Sequence, residues 1–107
     1  MFRVMVKGRF TELSEPARTA LQAEATDHQP LRAAFTPTGT LTYDDRLDFF
    51  TFRYEVRERA ETAESAKDAA FERARGMALE HLDEHGLTHR DLRAVGHDMA
   101  DAWHEER

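Results

Sequence analysis

The chain has no cysteine, which excludes disulfides, thiolate metal sites and a cysteine nucleophile. That absence is compatible with a reducing compartment, and a cytoplasmic location is expected. Asparagine is missing too, and lysine occurs only at positions 7 and 67, so nearly every cation is arginine. With the abundant alanine, this skew looks like the mark of a high-GC genome rather than of function. No stretch approaches the ~18 apolar residues that a membrane-spanning helix needs. The opening MFRVMVKGRF interrupts its apolar residues with charges instead of building a secretion signal, so no membrane partner is expected. A basic surplus is also lacking: Lys+Arg 15 stand against Asp+Glu 21, a net charge of -6. Binding to nucleic acid usually needs a basic patch. Arg3, Lys7 and Arg9 supply only a small stripe on one strand, and no nucleic-acid partner is expected.

What is present is periodic pattern, without repeat, linker or low-complexity segment, so residues 1–107 read as a single domain. From Phe2 to Phe10, Phe2, Val4, Val6 and Phe10 alternate with Arg3, Met5, Lys7 and Arg9, which predicts a half-buried strand. Ser14, Glu15 and Pro16 open a helix through a hydroxyl cap followed by an acid and a proline in the first turn. That helix is expected to run to about Asp27, with Ala17, Ala20, Leu21 and Ala25 inward, and Pro30 ends it. LRAAF reads as a short extra strand or an extension of the next one, TPTG as a turn, and DDR as a hairpin loop after Tyr43. From Thr62 to His85 the pattern is helical, with Ala63, Ala66, Ala70, Phe71, Ala74, Met77, Ala78 and Leu82 in one stripe. Gly86 and Leu87 form its C-terminal cap. A last strand spans Asp91 to Asp98 with Leu92 and Ala94 inward, and a polar tail, ADAWHEER, follows.

The order strand, helix, hairpin, helix, strand predicts an α+β fold of the ferredoxin-like, split βαβ kind. Its antiparallel sheet carries two helices on one face, with the first and third strands central. Three stretches, MFRVMVKGRF, LRAAFTPTGTLTYDDRLDFFTFRYEVR and DLRAV…DMADAW, resemble a small family of uncharacterised proteins common in high-GC bacteria. That resemblance covers essentially the whole chain and implies the ferredoxin-like fold, but no catalytic residues. The topology is also similar to that of acylphosphatases. Here VKGRFTEL lacks the later glycine of their phosphate cradle, and their catalytic asparagine is absent, so that activity is not expected.

LDFFTFRYEVR raises the question of what covers the second face of the sheet. Phe50, Phe52, Tyr54 and Val56 share one face of the strand, and Leu47, Phe49, Thr51 and Arg53 the other. The first set belongs under the helices. The second is joined on the open face by Met5, Val95 and His97, and by Leu41 and Tyr43 if their register follows. So apolar a surface predicts a homodimer packed sheet to sheet, a dimeric α+β barrel. Small cofactor-free oxygenases, decarboxylases and cyclases use that assembly, so an aromatic or polyketide-like ligand is expected, with a structural or regulatory homodimer as the alternative. In the ligand reading Arg53 holds an anionic oxygen and His97 moves a proton. Tyr43 and Thr51 contribute polar contacts, and Phe49, Met5 and Trp103 wall the site. His81 and His85 lie one helical turn apart, but the glutamate of the metalloprotease pattern is missing, and neither a metal nor a cofactor is expected.

Overall fold

The structure is a computed structural model that describes residues 1–28 and 34–98, apart from the side chains at 27, 97 and 98. Strand β1 (Phe2–Phe10) leads into helix α1 (Glu15–Ala23), a 3-10 turn (Ala25–His28), strands β2 (Thr40–Tyr43) and β3 (Phe49–Val56), helix α2 (Ala63–Glu84) and strand β4 (His89–Asp98). The four strands form one sheet in the order β2-β3-β1-β4, and every neighbouring pair is antiparallel. The two strands richest in apolar residues are the central ones. This follows from chemistry, because a central strand has its backbone paired on both sides and its inward side chains wholly covered.

Each helix starts where a side-chain acceptor meets the free amides of the first turn. Ser14 accepts from the Ala17 N–H (3.3 Å), and Thr62 from the Ser65 N–H (3.0 Å). Helix α2 ends in a Schellman arrangement. Gly86 has φ +63, and the Leu87 N–H donates to the Leu82 carbonyl (2.8 Å), while Leu87 itself is buried. Helix α1 is shorter than its sequence pattern predicts. It stops at Ala23, and the 3-10 turn takes over at Ala25. Thr26 and Asp27 follow at that point, and both favour turns over helix interiors.

Both helices cover the same face of the sheet and share one core with it. Phe2, Val4, Val6, Phe50, Phe52, Tyr54 and Val56 enter from the strands, Ala17 and Leu21 from α1, and Ala66, Ala70, Ala74, Ala78 and Leu82 from α2. The four alanines of α2 recur every fourth residue, so one ridge of small side chains lets the helix lie close on β1 and β4. Leu92 and Ala94 pack against this core from β4, as their parity predicts.

Three expectations need correction. Leu47 does not share the open face with Phe49. It stands in the β2–β3 hairpin at φ +59, outside the strand, and its side chain turns back into the core. The hairpin is held by the Asp44 carboxylate, which accepts from the Asp48 and Phe49 N–H groups (2.9 Å each). Tyr43 and Leu41 are also on the helix side. They pair directly opposite Phe50 and Phe52, and opposite residues of an antiparallel pair share a face. The open face of β2 carries Thr40 and Thr42 instead. Finally, β4 starts at His89 rather than Asp91, and Asp91 (φ +57) lies in a bulge that shifts the register against Lys7 and Arg9. Of LRAAF, Ala34 and Phe35 are described, and Thr36 next to them makes a single parallel bridge to Tyr54 at the sheet edge; positions 31–33 lie outside the described residues. No described helix is long and apolar enough to cross a membrane.

Candidate functional site

The open sheet face brings together part of the predicted site. Met5 pairs with Arg53, Lys7 with Thr51, and Arg9 with Phe49. The Arg53 guanidinium donates to Thr42 Oγ1 (2.9 Å), and the Arg9 guanidinium stacks over the Phe49 ring (4.9 Å). Phe49 is the most exposed large apolar side chain of the described core strands, at 56%. Tyr43 is not with them: it is buried, and its hydroxyl donates to the Leu21 carbonyl (2.5 Å), tying β2 to α1. The His97 backbone pairs with Arg3; its side chain, and all of Trp103, lie outside the described residues. The face is therefore a strip along the sheet rather than a converging pocket.

A cleft of about 650 Å³ opens on the other side, between β2, β3 and the C-terminal half of α2. Its floor is Leu41, Phe52 and Tyr54, inward by strand parity. Met77, Glu80, His81 and Glu84 project from α2 at helical i, i+3, i+4 and i+7 positions, so they share one face. The turn Pro37–Thr40 forms a lip, and His28 closes one end from the 3-10 turn. That lip depends on Gly39. Its φ is +87, its N–H donates to Thr36 Oγ1 (2.9 Å), and it lies against the Tyr54 ring so closely that a Cβ would run into the ring.

The Tyr54 ring stacks on Phe52 (6.0 Å, interplanar angle 10°), and burial pushes its pKa up to about 12, so at neutral pH the phenol keeps its proton. Among the described residues no buried side-chain polar atom lacks a partner and the Tyr54 hydroxyl makes no hydrogen bond, so it is reached from the cleft. It is a donor facing the cavity. His28 donates from Nδ1 to the Leu41 carbonyl (2.7 Å), and its ring stacks on Tyr43 (5.1 Å). Its Nε2 is 3.7 Å from a Glu24 carboxylate oxygen. His81 meets the Phe52 ring edge-on (5.3 Å) and lies beside the His85 ring (4.4 Å). A smaller space of about 110 Å³ adjoins, bounded by His28, His81, His85 and Leu21. Among the described residues no three His, Asp or Glu side chains are grouped to hold a metal ion. The arrangement offers an aromatic floor, a phenol donor and two imidazoles, with the Glu80 and Glu84 carboxylates at the exposed rim. Such a rim favours neutral or cationic guests over anions.

Burial holds the His81 pKa below the ordinary 6.5, and the neighbouring His85 charge lowers it further, against an opposing pull from Glu84. The unfolded chain therefore takes up this proton at a higher pH than the folded one, and stability rises with pH through that window. The contribution is complete above about 6.5 and is lost as pH falls through the lowered folded value. Urea midpoints measured between about pH 7 and about pH 5 should fall less steeply for His81→Leu than for the wild type. Parallel profiles would show that His81 is not a group that resists protonation in the folded state.

This cleft has no signature in the sequence. Tyr54 and Phe52 were legible as inward residues and TPTG as a turn, but nothing local indicates that the helix layer leaves space above them. His28 gives no sequence signal as a pocket residue. No curated protein and no solved structure matches the chain. A family model does, over residues 1–107. Its extent over the entire chain places this protein, with its four-stranded sheet and helix-side cleft, in the family of unknown function DUF6204.

Proposed function

We propose that the protein binds a small amphipathic organic molecule, neutral or cationic and with an aromatic or other apolar body, in the cleft between α2 and the β2–β3 pair. The observation that carries this reading is the Tyr54 hydroxyl. A protonated phenol opens on a space of about 650 Å³ above an aromatic floor and makes no hydrogen bond among the described residues. Pockets for small molecules combine apolar walls with a few placed polar groups, and volumes of this order are typical. The scaffold is the ferredoxin-like plan, a reading supported by the order β2-β3-β1-β4 with antiparallel neighbours throughout. Any acid–base step on a bound molecule would fall to His81, whose lowered pKa leaves it a neutral base near pH 7. A sheet-to-sheet homodimer is less well supported. A two-fold axis would set the cations of the open face against their own copies.

The test is a panel of aromatic amines, neutral aromatics and aromatic carboxylates, screened by thermal shift and followed by calorimetry. Amines or neutral compounds should bind and carboxylates should not. Tyr54→Phe keeps the ring and removes the donor. It should weaken a hit by about three- to tenfold, the worth of one net hydrogen bond. A hit indifferent to both Tyr54→Phe and Glu80→Gln would place the ligand elsewhere and defeat the proposal.

A further inference from the structure

We propose that the open face of the sheet is a docking surface for single-stranded nucleic acid, independent of the cleft on the opposite side. Register gathers onto this face cations that are scattered in the chain. Arg3, Lys7 and Arg9 come from β1, Arg53 from β3, and Arg90 and Arg93 from β4. Lys7 pairs with Arg93, and Arg9 with Arg90, so like charges stand directly opposite each other on neighbouring strands. Such pairs oppose folding. Of the 21 Asp and Glu residues, the described sheet face carries only Glu55, with Asp91 at the bulge, where it pairs with Arg90 (3.8 Å). Arg3, Lys7, Arg9, Arg53 and Arg93 make no ion pair among the described residues. Glu55 stands opposite Arg3, yet a protein with a net charge of -6 still concentrates a surplus of positive charge on this surface, which is the electrostatic footprint of a polyanion site.

Aromatic rings choose among polyanions. Phe49 is 56% exposed beneath Arg9, and Phe35 lies under the Arg3 guanidinium (5.4 Å). Arg3 and Arg9 are six positions apart on β1, so the two ring–arginine pairs flank a strip of ~20 Å. Met5 and Val95, paired across β1 and β4, lie between them. A single strand presents both phosphates for the cations and unstacked bases for the rings, whereas a duplex hides its base faces. An acidic protein or an anionic membrane would use the charges but would not need the rings. A second copy of this chain would meet the patch with the same charge.

The test is fluorescence anisotropy of labelled single-stranded RNA and DNA of about ten nucleotides, titrated with the full chain. Binding should be measurable below about 100 µM at low salt. With about four phosphates neutralised, raising salt from about 50 to about 200 mM should weaken it ~50-fold. Phe49→Ala should cost about tenfold. Lys7→Gln with Arg93→Gln should also cost about tenfold and flatten the salt dependence, while the melting temperature holds or rises as like-charge repulsion is relieved. Preference for RNA over DNA would show that the 2′-hydroxyl is read, and either strand binding in this way supports the proposal. It is overturned if neither binds at about 100 µM, if polyglutamate or anionic vesicles bind as tightly and Phe49→Ala makes no difference, or if the face instead mediates a dimer that Phe49→Ala dissolves. None of these outcomes depends on the cleft.

Discussion

Phe50→Ala is expected to cost about 3–5 kcal/mol of folding stability, the range for removing a fully buried aromatic ring. Phe50 is 2% exposed and packs on Phe10 (4.8 Å), Phe52 (5.7 Å) and His89 (6.4 Å). It also lies across Gly8 of β1, its cross-strand partner, so closely that a Cβ on Gly8 would meet the ring. The phenylalanine fills the space that the glycine leaves, and no neighbour on β1 can refill it. A domain of this size has ~5–15 kcal/mol in total, so the variant should retain about half to two-thirds of a mid-range value. Urea denaturation should show a lower midpoint with an unchanged slope. A loss below about 1 kcal/mol would mean that the core relaxes around the cavity, against the packing described.

Gly39→Ala should cost about 2–4 kcal/mol and impair the cleft as well. Two penalties combine. The residue has φ +87, where an L side chain is strained, and the new methyl group would be driven into the Tyr54 ring. Tyr54 cannot retreat easily, because it is stacked on Phe52 and buried. Gly86→Ala is the matched control. It too has positive φ, +63, but a Cβ there meets nothing within 4 Å, so only the backbone term of about 1 kcal/mol remains. Equal losses for the two variants would show that the Tyr54 contact contributes nothing. Any ligand that uses the Tyr54 hydroxyl should bind Gly39→Ala more weakly and Gly86→Ala as it binds wild type.

Much of the scaffold was readable because its causes are local. Phe2 to Phe10 alternates, and in a strand alternation alone decides which side chains face the core. Thr62, Gly86 and Leu87 bracket α2 because the unpaired backbone groups at helix ends need nearby partners. Where the cause is distant or the pattern breaks, the sequence is silent. Leu47 has the strand parity of Phe49, but it sits in a hairpin at positive φ, where parity no longer holds. The side that Tyr43 takes depends on the register of β2 against β3, which four residues of β2 do not specify. The apolar spacing of α1 continues to Ala25 after the helix has stopped.

Local pattern in the chain settles the order and types of the elements, the inward set on β1, β3 and α2, and the exposure of Phe49 on the open side. All of these follow from side-chain period, capping and turn chemistry within about twenty residues of chain. Tertiary structure alone decided how the elements combine. Along the chain Arg3, Lys7 and Arg9 are a short stripe in an acidic protein. Only the pairing of β1 with β3 and β4 adds Arg53, Arg90 and Arg93 to the same surface. The cleft arises in the same way, since His28, Gly39, Tyr54 and His81 are far apart in sequence and meet only when α2 is laid across the sheet. Charge density and cavities are properties of neighbours in space, and those neighbours are set by register and helix packing rather than by the local pattern.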